Sequence, residues 1–402
     1  MQVQCCIAGG GPAAMMLGLL LARAGVEVVV LEKHRDFLRD FRGDTIHPST
    51  LEVIHELGLL DDFLARPHQK EHALSIQIGR EVVQIADFAN LPTRCKFIAF
   101  MPQWDFLDFL ADHARPHHSF KLLMEAEVTD LLWEVDRVSG VVAQTRKGQL
   151  EIRADLVVGA DGRHSLTRAK SRLEVTSLGA PMDVLWMRIS RHSSDPDQTF
   201  GRVEAGRMLV MINRRDYWQC AFVIPKGSFD DIQGNGLEAF RADLVALAPY
   251  LQDRVSELTA WDDIKLLTVS VDRLRQWYRP GLLCIGDAAH AMSPIGGVGI
   301  NLAIQDAVAA ANILAAPLRA GTIAVDHLRA VQRRREWPTR ATQSLQILVQ
   351  NRVIRSVLNS AAPLAPPCPV QLAQRWPVLQ RIPAHLVGVG FRPEHVRMPL
   401  MS

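Results

Sequence analysis

The stretch VQCCIAGGGPAAMMLGLLLARAGVEVVVLE, residues 3–32, decides the fold. Val3–Ala8 is a short apolar run of strand type, and Gly9-Gly10-Gly11-Pro12 cannot continue it. Ala13–Ala24 is dense in Ala, Leu and Met, which favour helix, and Gly25 stands where that helix stops. Val26–Leu31 is β-branched and almost wholly apolar, as a strand buried on both faces must be. The pattern Gly9-x-Gly11-x-x-Ala14 therefore follows a strand and opens a helix. A pyrophosphate needs the N–H donors that a helix N-terminus leaves unpaired, and a backbone bare of side chains for close approach. Gly9 allows the tight turn, Gly11 the approach and Ala14 the packing of helix on strand, with Pro12 and Ala13 between them. Glu32 closes the second strand 23 residues beyond Gly9, near the roughly 20-residue spacing of an acid that takes a ribose hydroxyl. That acid disfavours a 2′-phosphate, so the loop suits FAD or NAD rather than NADP. A glycine turn that serves packing alone is the competing reading. Strand, helix, second strand and acid together favour a bound dinucleotide.

Beyond this unit a second helix is expected after Pro48, ending at Gly58, with Leu51, Ile54 and Leu57 at three-to-four spacing. From Leu74 to Phe100 the pattern turns short and alternating, Trp104–Arg115 is helical, and Pro116 ends that helix. Leu150–Ala160 is another apolar strand, closed by Asp161-Gly162. Between Val175 and Val271 several runs alternate, such as Val184–Ile189 and Met208–Ile212, with Gly, Asn and Asp in the turns. Leu282–Ile285 returns to the buried-strand pattern, and a Gly-rich loop leads into an Ala-rich helix, Asn301–Leu314. Dinucleotide-type pieces thus stand at both ends and the middle, and antiparallel pieces interrupt them. The chain is expected to be α/β, with one discontinuous domain of residues 1–73, 101–174 and 272–360. A mostly antiparallel β domain of residues 74–100 and 175–271 accompanies it, and a helical C-terminal region ends in a Pro-rich tail, 361–402, that wraps the surface.

Composition narrows the function classes. Among 402 residues, 45 Lys and Arg face 43 Asp and Glu, a net charge of +2, so no nucleic-acid partner is expected. Apolar residues make 48% and charged residues 22%, the balance of a core-forming chain. No apolar run reaches the roughly 18 residues of a membrane span, and Met1-Gln2-Val3-Gln4 lacks the basic start of a signal peptide. The six cysteines form no Cys-x-x-Cys pair, which fits reduced thiols in a cytoplasmic protein. Adjacent Cys5 and Cys6 point to opposite faces of their strand as packing residues.

A second glycine-rich stretch follows the strand Leu282–Ile285: Gly286-Asp287-Ala288-Ala289-His290, then Pro294-Ile295-Gly296-Gly297-Val298-Gly299-Ile300-Asn301. An acid at a strand end can hold a polyol, and a Gly-rich loop before a helix presents another set of free N–H groups. Two separated donor-rich loops suit one long ligand carrying charge at both ends. FAD is such a ligand.

Ile7–Lys33, Asp155–Arg168 and Gly286–Leu314, with Gly159-Ala160-Asp161-Gly162-x-x-Ser165-x-x-Arg168 and Arg42 ahead of the helix ending at Gly58, carry a family resemblance. Together they resemble the signatures of FAD-dependent aromatic monooxygenases of the para-hydroxybenzoate hydroxylase type, the single-component flavin hydroxylases. The resemblance implies a Rossmann-like FAD-binding domain. It implies that the glycine loop takes the pyrophosphate and Glu32 the adenosine ribose, that Arg42 and Gln103 lie along the cofactor, and that Lys33 and Val128 complete its contacts. Asp287 matches the aspartate near the ribityl chain. Gly297, Gly299, Ile300 and Asn301 match the loop whose backbone reaches the flavin ring, and Asp161 matches a residue tied to FAD and to pyridine nucleotide. Ala14 departs from the usual third glycine, yet its methyl still fits between helix and strand. No second dinucleotide fingerprint exists, so NAD(P)H is a transient co-substrate.

The implied reaction is hydroxylation of an aromatic or conjugated small molecule with NAD(P)H and O2, through a flavin C4a-hydroperoxide, in a dry pocket walled by the antiparallel layer. Pro294 matches a position beside the flavin where a backbone carbonyl steers the peroxide proton. His47 either exchanges a proton with a phenol or caps and packs its helix. Trp186, Arg188, Met211, Tyr217 and Gln219 lie on alternating strands, and some are expected to face the substrate, while each is also an ordinary sheet residue. Only three tyrosines, Tyr217, Tyr250 and Tyr278, are available to a phenol relay. His113, His117 and His118 are read as a solvated loop with no metal, because Pro116 breaks any shared face. Arg333-Arg334-Arg335 reads as an exposed helix face. The alternative keeps FAD and changes the chemistry to reduction, halogenation or oxidative rearrangement; for halogenation, Tyr217–Pro225 lacks the second tryptophan of the Trp-x-Trp-x-Ile-Pro segment. A homodimer is compatible with either.

Overall fold

The computed structural model describes residues 1–38 and 45–399, so Arg42 lies outside the described residues. The chain opens with β1 (Gln2–Ala8), α1 (Pro12–Arg23), β2 (Val28–Glu32), β3 (Thr45–Ile46), α2 (Pro48–Glu56), α3 (Leu60–Ala65) and β4 (Gln69–Glu71). Next come β5 (Ala73–Ile78), β6 (Glu81–Asp87), β7 (Ile98–Phe100), α4 (Gln103–Ala114), β8 (Phe120–Met124), β9 (Glu127–Glu134), β10 (Arg137–Thr145), β11 (Gly148–Gly159) and α5 (Leu166–Lys170). The middle holds β12 (Val175–Ser177), β13 (Met182–Ser190), β14 (Phe200–Glu204), β15 (Arg207–Asn213), β16 (Tyr217–Pro225), α6 (Phe229–Gly234), α7 (Leu237–Leu247), β17 (Lys265–Leu267) and β18 (Asp272–Leu274). The last part holds β19 (Tyr278–Arg279), β20 (Leu282–Cys284), α8 (Gly299–Arg319), α9 (Val325–Val349), α10 (Arg355–Leu358), α11 (Cys368–Arg375) and α12 (Arg381–Gly388).

The apolar carboxyl-end halves of β1, β2, β11 and β20 stack side by side, because only a sheet covered on both faces can take them. The order is β19-β20-β11-β1-β2-β8, parallel from β20 to β8. β11 is 12 residues long because it serves two neighbours: residues 148–153 pair with β10, and residues 153–159 with β1. Cys5 enters the cluster beneath α1 and α8, and Cys6 enters the cluster beneath β9 and β10. In α1 every residue from Ala13 to Ala22 is buried, and each buried leucine there contributes about 1.5–3 kcal/mol. Gly18 is what lets that helix lie so close: a Cβ there would sit 2.9 Å from Val30 and from Phe120.

A second sheet runs β17-β13-β16-β15-β14-β5-β6, antiparallel except between β14 and β5. One face packs on α7 through Leu185, Met187, Leu209, Met211, Trp218, Cys220 and Phe222. The other face turns toward the small sheet β3-β7-β4 and the C-terminal helix α12.

Two expectations change. Arg333–Arg335 is not an exposed face: Arg335 is fully buried with its Nε 3.0 Å from Asp306, and Arg334 makes a two-pronged pair with Glu394, so only Arg333 points to water. The reason is long-range, since the acids that receive them come from α8 and from the C-terminal segment. The segment 361–399 is also more than a wrapping tail. It holds two helices, and buried Glu394 anchors it to α9. The helical stretch Ile295–Arg319 is long and apolar enough to cross a membrane, but 83% of its most apolar window is buried inside the fold, as in a core helix.

Candidate active site

Three distant stretches meet at the carboxyl ends of the parallel strands, where ligands of open α/β sheets bind. The Gly9 N–H donates to the Leu31 carbonyl at 2.8 Å, the Ala160 N–H to Ala8 at 2.9 Å, and the Ile285 N–H to Gly159 at 3.0 Å. Gly9 sits at φ +101°, and a Cβ there would lie 2.5 Å from the Ala160 carbonyl oxygen, so only glycine serves. A Cβ built at Gly286 would lie 3.2 Å from that of Ala13 and 3.4 Å from that of Ala303. The loop after β20 therefore adjoins the first turn of α1, and α8 runs beside that helix.

The residues fit an extended anionic cofactor. No side chain caps α1 or α8, so the donors of both first turns depend on another partner. A Cβ at Gly11 or Gly299 would touch nothing within 4 Å, which leaves the backbone at both helix starts approachable. Glu32, at the end of β2, accepts the Gly10 N–H at 2.9 Å and the His34 N–H at 3.0 Å, which fixes its carboxylate against the glycine turn. Asp287 stands half-buried in the turn after β20, 3.6 Å from the Arg163 guanidinium. Gln103 is the first residue of α4 and is half-buried, and Lys33 is exposed just past β2. These residues, with Pro12, Ala13 and Ala14, could hold FAD.

Other expected contacts are placed differently. The Asp161 carboxylate accepts three donors of its own loop: the Ser165 hydroxyl at 2.5 Å, the Thr167 hydroxyl at 2.8 Å and the Thr167 N–H at 2.9 Å. It shapes the start of α5 instead of reaching outward. Val128 turns its side chain into the core cluster with Cys6, Ala8 and Leu31, beside an irregularity in the β9–β10 pairing that breaks the alternation. The Asn301 side-chain oxygen accepts from Ser49 and Thr50, both at 2.8 Å, and so ties α8 to α2. Ile300 is buried beside it.

His47 is fully buried at the N-cap of α2. Its Nδ1 lies 2.7 Å from the Val387 carbonyl and its Nε2 3.1 Å from the Gly297 carbonyl. Two carbonyls favour the charged ring, yet burial wins and holds its pKa down at about 4. At pH 7 the ring is neutral and donates to one carbonyl, the nearer being Val387. This corrects its expected role as a proton carrier for a phenol, because neither nitrogen is open to a substrate. Thr45 donates to the same Gly297 carbonyl at 2.9 Å, and a Cβ at Gly297 would strike that hydroxyl at 2.4 Å. The Pro294 carbonyl accepts the Gly297 N–H at 3.1 Å, closing the turn.

A buried charge cluster supports the loop from behind. Asp306, on α8, accepts from His290 Nε2 at 2.6 Å, from Arg335 Nε at 3.0 Å and from the Gly286 N–H at 3.0 Å. Its pKa is lowered: burial opposes ionisation, but His290 and Arg335 together outweigh it. His290 thus packs the loop instead of acting on a substrate.

On the second sheet, Trp186, Arg188, Tyr217 and Gln219 share the face turned toward α12, whereas Met211 does not. Met211 sits on the opposite face, fully buried, and receives the Tyr250 hydroxyl at 3.1 Å. One residue of parity decides this: Val210 and Ile212 take the front, Leu209 and Met211 the back. The Arg188 guanidinium lies 3.9 Å above the Tyr217 ring, and Gln219 accepts from Arg214 at 3.2 Å. The front also carries an apolar cluster of Leu74, Phe88, Leu91, Phe100, Trp186, Val210, Ile212 and Val387. His113 pairs with Asp62 at 3.2 Å, and no group of three metal-ligating side chains occurs among the described residues. Thr45, Asp306 and Val387 were not anticipated. Only the spacing of Asp306 within the Ala-rich helix, an acid amid alanines, signals one of them in the sequence.

Residues 2–344 match the FAD binding domain family, and the chain belongs to that family. It is 33% identical over 384 residues to the 6-methylpretetramide 4-monooxygenase of Streptomyces rimosus, covering 94% of this chain and 91% of that protein. The Rifampicin monooxygenase of Streptomyces venezuelae is 28% identical over 75% of this chain, which spans only 61% of that relative's length. The crystal structure of p-nitrophenol 4-monooxygenase from Pseudomonas putida shares the fold, with TM-score 0.72 at 20% identity over 96% of this chain and 94% of that one. The protein is an FAD-dependent monooxygenase.

Proposed function

We propose that this enzyme hydroxylates a planar, fused-ring phenolic small molecule with NAD(P)H and O2. The carrying observation is the junction of the two glycine loops, Gly286 against Ala13, beside one apolar sheet face. The substrate class is supported by the identity to the 6-methylpretetramide 4-monooxygenase across nearly the whole length of both proteins. FAD, when bound, supplies the redox chemistry, taking a hydride from NAD(P)H and activating O2.

The chain's own residues bind, orient and exclude water. In this reading Gly9, Gly11, Ala13 and Ala14 offer the turn and the N–H donors for the pyrophosphate, and Glu32 takes the adenosine ribose with Lys33 beside it. Gln103 and Asp287 line the middle of the cofactor, and the backbone of Gly297, Gly299, Ile300 and Asn301 meets the ring. Trp186, Val210, Ile212 and Phe100 form the dry wall, with Arg188, Tyr217 and Gln219 as polar handles at its edge. The division into residues 1–73, 101–174 and 272–360 for the cofactor, with 74–100 and 175–271 for the substrate, is supported by the two large sheets, while β7 and β12 pair across it. A cytoplasmic setting and a homodimer belong to the same reading. The first is supported by six unpaired cysteines, five of them buried, and the second is open to light scattering.

The purified protein should be yellow and release FAD on denaturation. With 6-methylpretetramide and simpler fused-ring phenols as probes, NAD(P)H oxidation should accelerate and one 18O atom from 18O2 should enter the product. A colourless protein that takes up no FAD would overturn the reading. Turnover without 18O, or with halide incorporated, would favour the alternative of reduction, rearrangement or halogenation on the same cofactor.

A further inference from the structure

Helices at a protein surface bury an apolar stripe; α9 begins that way, with Leu328 and Val331 in the core, and then turns a polar face inward. Its buried face carries Gln332, Arg335, Thr339, Gln343 and Gln346, and continues to Gln350 at the start of the π-helix Gln350–Ile354. Trp337 and Leu348 point to water instead. A buried amide without partners is costly, so the glutamines must answer buried polar groups opposite them. They do. Gln343 donates to the Asp272 carbonyl at 2.8 Å and the Ala291 carbonyl at 3.0 Å. Gln346 accepts the Ser293 N–H at 3.2 Å and donates to the Ser293 and Ile295 carbonyls, both at 3.0 Å. Gln350 donates to the Ser293 hydroxyl at 2.7 Å, which in turn accepts the Ile295 N–H at 3.4 Å.

We propose that Gln346 and Gln350 are positioning residues that set the geometry of the turn 293–299, the segment that meets the flavin ring. The inference rests on the cofactor reading above. Residues 293 and 294 belong to no helix or strand, and Pro294 has no N–H, so the segment lacks the usual backbone partners and takes side-chain amides in their place. At its other end the Gly297 carbonyl is held by the Thr45 hydroxyl. Between the two grips lies Gly296, at φ +75°, whose built Cβ would meet only Val298 and Val387 side chains at 3.6 and 3.9 Å. The turn is thus clamped at both flanks, and its middle is set by the clamps. A π-helical turn where one clamp begins fits the use of such turns to place a side chain that a regular helix would misdirect.

The test uses the full-length protein loaded with FAD and three near-isosteric variants: Gln346→Met, Gln350→Met and, as comparator, Gln343→Met. The first two should raise hydrogen exchange of the 293–299 amides about tenfold, shift the long-wavelength band of bound FAD and weaken FAD binding about tenfold. Gln343→Met, whose bonds lie upstream of the turn, should lower Tm and leave those three readouts unchanged. Equal effects in all three variants, or unchanged exchange and spectrum in Gln346→Met and Gln350→Met, would overturn the proposal. Gln350→Met removes a single hydrogen bond and keeps the question answerable if Gln346→Met does not fold. Should the wild-type chain bind no FAD, the cofactor reading falls, while the exchange comparison still decides whether the amides position the turn.

Discussion

The two glycine loops are built on opposite principles. The first, Gly9–Ala14, is assembled from neighbours in the chain: β1 feeds it, α1 leaves it, and Glu32 of the next strand locks against Gly10. The second, Gly286–Gly299, is assembled from far away. Asp306 and Arg335 hold its start, Gln346 and Gln350 its middle, and Thr45 its end. A phosphate cradle needs only backbone donors and close approach, which a strand–turn–helix supplies locally. A loop that must present a defined peptide edge to a ring has no such local solution, and the fold fixes it by tertiary contacts. The first loop should therefore tolerate distant mutations that disable the second.

The largest break in that contrast is Asp306→Asn. It removes the negative charge between His290 and Arg335 and leaves the buried guanidinium with Glu394, 3.6 Å away, as its one carboxylate beside the Arg392 carbonyl. Breaking such a buried pair costs about 3–5 kcal/mol, which a urea titration of the FAD-loaded protein would read. A loss below about 1 kcal/mol would show that the cluster is not what supports the second loop.

Next in size is a pH effect at His47. Its folded pKa of about 4 lies below the ordinary histidine value of about 6.5, so the folded state prefers the neutral ring. The associated stability is present above pH 6.5 and is lost as pH falls from there through about 4, a loss on the order of 3 kcal/mol. Asp306, whose pKa is lowered, loses its contribution only at more acid pH, so the two windows separate. His47→Gln should shrink the upper window: the variant should lose less unfolding free energy from pH 7 to 5 than the wild type, the rest of the slope including His117, whose pKa burial also lowers. Equal slopes in the two proteins would sink the assignment.

What the sequence made legible follows the same division. The unit of residues 3–32, the strand at Leu282–Ile285 and the helix after Gly299 were all readable, because periodicity, turn residues and helix formers are local signals. The loop bonds of Asp161 were not readable because they depend on how its turn closes, and Met211 was misplaced because alternation separates two faces without saying which one looks at the site. Arg335 looked like solvent charge until α8 supplied Asp306. The polar face of α9 was in plain view as Gln332, Gln343, Gln346 and Gln350 at helical spacing, but a stripe of glutamines ordinarily means a wet surface. Its meaning came only with the backbone that it satisfies.

The smallest expected change in stability is the sharpest test of the first loop. Gly11 has φ −75° and ψ −178°, a conformation any residue adopts, and an added Cβ would touch nothing within 4 Å. Gly11→Ala should therefore cost the FAD-free protein no more than about 1 kcal/mol, the difference between glycine and alanine at a helix N-cap. If the room in front of α1 belongs to a pyrophosphate, the same methyl pushes the ligand off the helix start and weakens FAD binding by at least about tenfold, or 1.4 kcal/mol. Gly9→Ala is the opposite case, since its methyl meets the Ala160 backbone and should cost stability whether or not FAD is present. Should Gly11→Ala bind FAD as tightly as wild type, the glycine is there for the turn and not for the ligand, and the contrast between a local cradle and a remotely held loop loses its first half.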